Sequence, residues 1–252
     1  MESESQTHPL DISLVIPAYN EEAYLPRLLD TVDEARAHYS GGPSAIEVIV
    51  ADNASTDATP DLARKHGCVV VRVETRAIAA ARNGGAKVAK GAILAFVDAD
   101  TQIHPDTFNS VRRAIESGKF IAGATGVKME RLSPGIVCAY ALMVPFALLM
   151  KLDTGVVFCR RTDFEQIGGY NEERLYAEDV QFLLDLRRLG KRRGQGLVRL
   201  TSAKAITSTR KFDLHGEWHY VKMILTFPFM HLFFHRRMEK FAKEYWYNGR
   251  QG

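Results

Sequence analysis

The chain has 252 residues, 46% hydrophobic and 25% charged, and its 33 basic against 30 acidic side chains give a formal net charge of +3. That balance excludes a disordered polyelectrolyte and any overall nucleic-acid-binding surface, and the length suffices for one large domain or two small ones with a sizeable core. Cys68, Cys138 and Cys159 are too widely spaced for a disulfide framework or a zinc site, and Met1 to Pro9 is polar and acidic without a signal sequence, so a cytoplasmic protein is expected.

After a tail of residues 1–10, the β-branched run Ile12 to Ile16 predicts a first strand that ends at Pro17. Leu25, Leu28, Leu29 and Val32 share one face of a following helix, and Gly41-Gly-Pro43 breaks the chain before a second strand at Ile46 to Val50. Pro60 to His66 reads as a helix and Cys68 to Val73 as a third strand. Arg76 to Lys90 is alanine-rich and helical, with a break expected at Asn83-Gly84-Gly85. The apolar run Ala92 to Val97 then predicts a buried strand that breaks into Asp98-Ala99-Asp100-Thr101-Gln102. Strands alternating with helices in this way mean parallel pairing with right-handed crossovers.

Thr107 to Ser117 reads as a helix, Phe120 to Lys128 as a strand, and Gly155 to Phe158 as another; a further helix starts near Glu178-Asp179. Between them, Ser133 to Met150 carries no charge but contains Pro134 and Pro145, and it falls short of the ~20 apolar residues of a spanning helix. A buried helix, a homodimer face and a segment lying in a membrane surface are all consistent with it. The last forty residues mix aromatic and basic side chains, from Trp218 and Tyr220 to Arg236 and Arg237, as an amphipathic interfacial extension or a plain helical cap would. The basic cluster from Arg187 to Arg193 fits a solvated helix end or an anionic lipid contact better than nucleic acid, and no nucleic-acid partner is expected.

Ligands of open α/β sheets bind beyond the carboxyl ends of the strands, where Asp98 and Asp100 fall. In extended chain the two carboxylates would point the same way and Ala99 away, which suits a hard divalent cation shared with phosphates; a turn before the helix near Pro105 is the alternative.

Leu14 to Glu22, Val50 to Asp57, Ala81-Arg-Asn-Gly84, Asp98-Ala-Asp100 and Tyr176-Ala-Glu-Asp179 together resemble the family 2 glycosyltransferases of the GT-A fold, in that family's order. The resemblance implies an α/β fold with a mostly parallel central sheet flanked by helices. Its catalytic domain would cover 11–212, as a nucleotide-binding half of about 11–103 and an acceptor half of about 104–212, with 213–252 as the C-terminal extension. It further implies inverting transfer of a sugar from a nucleoside-diphosphate donor to an acceptor hydroxyl, with Mg2+ or Mn2+ as cofactor. The apolar stretch and the aromatic tail suggest a lipid-linked or membrane-proximal acceptor and peripheral contact with the inner membrane face.

Each residue type suits a part of that chemistry. Pro17 and Tyr19 offer an edge and an aromatic face to the donor's base and ribose, Asp52 an acceptor for a base imino group, and Glu21 one for a ribose hydroxyl. Capping and first-turn roles are the alternatives for Asp52 and Glu21. Asn53-Ala54 stands where the family often has Asp-Gly. Arg82, ahead of Arg76, would meet the diphosphate. Asp98, Asp100 and, by similarity to dolichyl-phosphate-mannose synthase-like members, Gln102 would hold the metal, with Asp98 also on the donor. Asp153 would line the sugar pocket, and Asp179 or its neighbour Glu178 would be the base. A catalytically inactive nucleotide-sugar-binding module and a sugar-phosphate nucleotidyltransferase are the competing classes; the latter wants a glycine-rich phosphate loop that Ala18-Tyr-Asn-Glu is not.

Overall fold

The computed structural model describes residues 10–150, 155–174, 177–218, 221, 222 and 224. In β1 (Ile12–Ala18) every residue is buried, because the strand is flanked on both edges by parallel neighbours and covered on both faces by helices. Its partners are β2 (Ile46–Asp52), itself paired in parallel with β3 (Val69–Arg72), and β4 (Ile93–Phe96). Helix α1 (Leu25–Ala37) buries Leu25, Leu28, Leu29, Val32 and Ala35, the spacing of one helical face. Helix α2 (Thr59–Lys65) joins β2 to β3, and α3 (Ile78–Val88) joins β3 to β4.

Contrary to the expected break, α3 runs unbroken through Asn83-Gly84-Gly85. A Cβ on Gly84 would lie 2.5 Å from Val73 Cγ2, and one on Gly85 would lie 2.4 Å from Val15 Cγ1. The two glycines therefore let the helix sit down on the sheet, and their helix-breaking tendency is overridden by that packing.

Beyond β4 the sheet changes hand of pairing. A two-residue strand β5 (Thr101–Gln102) and helix α4 (Thr107–Glu116) lead to β6 (Phe120–Met129), α5 (Pro134–Met150), β7 (Val157–Arg160), α6 (Arg161–Ile167), α7 (Glu178–Arg192), β8 (Gly196–Thr207) and the short α8 (Arg210–His215). Among the described residues the sheet has eight strands in the order β3-β2-β1-β4-β7-β6-β8-β5. β7 is antiparallel to both β4 and β6, β8 is parallel to β6, and β5 is antiparallel to β8. The parallel half and the mixed half meet at β4. β8 and α6 are additions to the predicted elements, and α8 spans the expected boundary at residue 212.

Two apolar layers cover the sheet. One packs Leu28, Val32, Phe108 and Val111 on Leu14, Ile16 and Phe158; the other packs Phe182, Leu183 and Leu186 on Val15, Leu94 and Phe96. In the second layer Tyr170 stacks on Phe182 at a centroid distance of 4.0 Å and meets Phe96 edge-on at 5.1 Å. Helix α5 buries Ile136 and Ala139 while Val137 and Leu142 stay exposed, and among the described residues no helix is long and apolar enough to cross a membrane. Most of the aromatic tail lies outside the described residues.

Candidate active site

The carboxyl ends of β1, β2 and β4 open onto one rim, and hydrogen bonds lace the first two loops together. The Asn20 amide donates to Ser55 Oγ, the Thr56 amide to Asn20 Oδ1, and the Glu21 amide to Thr59 Oγ1 at 2.8 Å. Two similar bonds follow, the Glu22 amide donating to Asp57 Oδ2 and the Ala58 amide to Glu22 Oε2. Pro17 stands in register with Ala51 at this end of β1, and the Tyr19 ring is covered by the Arg76 guanidinium, 3.9 Å from its centroid. Asp52 is buried, and its Oδ1 accepts the Ser55 amide at 3.0 Å while Arg72 approaches Oδ2 at 3.4 Å. Asn53, where the family often has Asp, sends its side-chain amide to the carbonyls of Val73 and Thr75 and so ties the rim to the segment that follows β3.

Ala54 occupies the usual glycine position with φ of 61°, in the left-handed region. That conformation costs an alanine roughly 1–2 kcal/mol, part of which glycine would return as unfolded-chain entropy. Ala54→Gly is accordingly expected to raise stability by about 0.5–1 kcal/mol, read as an increase in the urea midpoint at unchanged m-value. Asn20 and Ala177 share the same backbone region, so all three non-glycine residues with positive φ among those described lie in loops of this rim.

Past β4 the chain turns where an extended pair was expected: the Thr101 amide donates to the Asp98 carbonyl at 3.0 Å, and Ala99 is buried. The two carboxylates consequently meet different arginines. Arg82 donates to Asp98 Oδ1 at 2.9 Å and, with its other terminal nitrogen, to Glu178 Oε1 at 2.6 Å. Arg210 Nε lies 3.0 Å from Asp100 Oδ2, while its two terminal nitrogens form a fork on Glu21 at 2.6 and 2.7 Å. Gln102, half-buried in β5, pairs in register with Ile206 of β8.

Helix α7 starts on Ala177, whose φ of 53° swings Glu178 and Asp179 toward the rim. Burial, reinforced by the neighbouring Glu178 charge and opposed by Arg82, pushes the Asp179 carboxyl up to about 6. Asp179 Oδ1 accepts the Val180 amide at 2.8 Å, whereas Glu178 is nearly buried against Arg82. Asn83 explains its place in the Ala-Arg-Asn-Gly block: its side chain donates to the Tyr170 carbonyl and accepts the Tyr170 amide, pinning α3 to the loop ahead of α7.

The structure thus brings Glu21, Asp98, Asp100, Glu178 and Asp179 to one rim, with Arg82 and Arg210 between them. Arg82, read as the diphosphate contact, has its terminal nitrogens on two carboxylates, and Arg76 is exposed on Tyr19. Arg210 was not anticipated; a single arginine in Thr207-Ser-Thr-Arg-Lys211 carries no pattern that marks it. Asp153 and Tyr176 lie outside the described residues.

An open α/β sheet with a mixed second half and an acidic rim past its central strand is the architecture of the GT-A glycosyltransferases. Residues 13–136 match the family described as Glycosyl transferase family 2, and this region of the chain belongs to it. A dolichyl-phosphate beta-glucosyltransferase of Drosophila melanogaster is 40% identical over 101 residues, 36% of this chain and 31% of that protein. The S. aureus TarS 1–349 structure in complex with UDP-GlcNAc superposes with a TM-score of 0.64 at 19% identity, over 95% of this chain and 79% of that one. The Pyrobaculum calidifontis mannosyltransferase PcManGT in complex with GDP-Man and Mn2+ does so with a TM-score of 0.60 at 21% identity, over 79% and 57%. The matched stretches span 23 to 37% of the length of the first curated relatives.

Proposed function

We propose that the protein transfers a sugar from a nucleoside-diphosphate sugar to an acceptor hydroxyl, with inversion, by a single displacement. The observation that carries this reading is the Asp98–Arg82–Glu178 chain of ion pairs with Asp179 beside it, which sets a carboxylate of raised pKa across from the acidic loop after β4. Glu178 is committed to Arg82, which leaves the role of base to Asp179. Asp179 accepts the acceptor's hydroxyl proton, the hydroxyl oxygen bonds to the anomeric carbon, and the bond from that carbon to the diphosphate oxygen breaks with its electron pair on the diphosphate. Because the leaving group is a phosphate, no acid need protonate it, unlike the two-carboxylate arrangement of glycoside hydrolysis.

The charge of the donor set suits a divalent cation, although among the described residues no three His, Cys, Asp or Glu side chains converge to hold one. Among the described residues five carboxylates (Glu21, Asp98, Asp100, Glu178, Asp179) adjoin the guanidiniums of Arg82 and Arg210, and an anionic diphosphate would add to that negative charge. Asp98, Asp100 and Gln102 would hold Mg2+ or Mn2+ through hard oxygen ligands, and the ion would supply charge compensation on the departing diphosphate. The nucleoside would lie along Pro17, Tyr19, Glu21 and Asp52, with Arg76 as the exposed guanidinium nearest the Tyr19 face.

A lipid-linked or membrane-proximal acceptor is supported by the exposed Leu132, Val137, Leu142 and Trp218. The test is a thermal-shift screen of UDP, GDP, dTDP and CDP sugars with and without Mn2+, followed by transfer assays with the stabilising donor. The expected result is a shift by one donor class that grows with Mn2+, and transfer that Asp100→Ala abolishes. Unchanged transfer by Asp100→Ala would sink the cation's role, and a donor shift with no transfer to any acceptor hydroxyl would favour an inactive binding module.

A further inference from the structure

Arg210 joins the two halves of the rim. Its side chain is 15% exposed, its Cζ lies 4.6 Å from the Tyr24 ring centroid, and all three of its guanidinium nitrogens are engaged: two on Glu21, one on Asp100. Burial works against its charge, but its hydrogen bonds to Glu21 and the charges of Asp100 and Glu21 outweigh that and raise its pKa. The arginine reaches this position because β8 delivers it: Thr207 pairs with Thr101, and the Ser208 amide donates to the Asp100 carbonyl.

We propose that Arg210 is a built-in counter-ion of Asp100 that a divalent cation must displace, with Glu21 as the anchor that keeps the displaced guanidinium. This deepens the function above and rests on its reading of Asp98 and Asp100 as cation ligands. The Asp100 oxygen that accepts from Nε cannot present the same lone pair to an ion at ~2.1 Å, and a guanidinium charge beside that ion repels it. Displacement breaks one contact, Nε to Asp100, while the fork on the buried Glu21 stays intact. Arg210 is thus a positioning residue. It offsets the Asp100 charge without a cation and holds down cation affinity until a donor adds its own ligands.

The test is Mn2+ binding to the full chain without any nucleotide, followed by the electron paramagnetic resonance signal of free Mn2+. Arg210→Gln is expected to tighten binding about tenfold. Glu21→Gln, which leaves the guanidinium to Asp100 alone, is expected to weaken it severalfold, and Arg210→Lys to lie near the parent. Should Arg210→Gln fold poorly, the double variant Glu21→Gln/Arg210→Gln removes the stranded carboxylate and is expected to bind as tightly. Opposite shifts from the two single variants support the proposal, because a merely structural ion pair would move both the same way. Equal or weaker binding by Arg210→Gln and the double variant overturns it. Measurable but identical Mn2+ affinity in every protein overturns this proposal alone, whereas no binding by any of them, Arg210→Gln included, overturns the cation reading as well.

Discussion

Asp179→Asn is expected to slow sugar transfer by about a thousandfold, within the range a positioned general base contributes, while the fold persists. Two pH signatures separate this from a general disturbance. In the parent, kcat/KM should rise with pH through about 6 and then level, because Asp179 must be ionised to accept the proton and its carboxyl is held up at about 6. The same shift has a stability consequence of the opposite sense. A carboxyl whose folded pKa lies above its unfolded value binds protons more tightly in the native state, so its contribution is most favourable at acid pH and is lost as pH rises through about 6. The melting temperature of Asp179→Asn should therefore equal that of the parent near pH 4 and exceed it at pH 7.5. Retained transfer in Asp179→Asn, or an acid limb unmoved by Glu178→Gln, would shift the role of base elsewhere.

Arg82→Met should have the largest effect on stability. The guanidinium is buried between Asp98 and Glu178, and Glu178 is itself almost wholly buried. Removing it strands a carboxylate in the interior beside Asp179, a change of the kind that costs about 3–5 kcal/mol. Replacing the partner as well, in Arg82→Met/Glu178→Gln, should restore more than half of the loss, since the stranded charge rather than the absent attraction is the main cost. Urea unfolding of the four proteins in the cycle measures this. Additive losses in the double variant would show that the Arg82–Glu178 contact is not where the energy lies. Lysine is not expected to substitute, because one ammonium cannot span two carboxylates in the planar fork that Arg82 uses.

The parallel half of the fold was legible in the chain because each of its signals is local. Short apolar runs end in Pro17, Asp52 and Asp98, and the intervening helices show their buried faces at regular spacing. What was not legible depends on distant partners. The glycines at 84 and 85 look like a helix break until Val73 and Val15 are seen pressing against them. β8, with Thr201, Ser202 and Lys204 exposed, lacks the apolar run of a buried strand and is a strand because β6 and β5 pair with it. The acidic positions of the rim could be listed from the five blocks, but their charge partners could not. Arg82 reaches Glu178 across 96 residues and Arg210 reaches Glu21 across 189, and no periodicity encodes such pairings.

The position of β4 between a parallel and an antiparallel neighbour also sets an order of assembly on the ribosome. β1 to β4 all lie within the first 96 residues and can pair as the chain emerges. β6, by contrast, must wait for β8 to complete its far edge, and β5 has no ladder until Ile206 and Thr207 arrive. Long-range closures of this kind are the slow events of folding. A nascent chain stopped short of residue 210 would therefore carry both aspartates of the β4 loop but lack the guanidinium that neutralises one of them, so the acidic rim is completed only after residue 210 has been made.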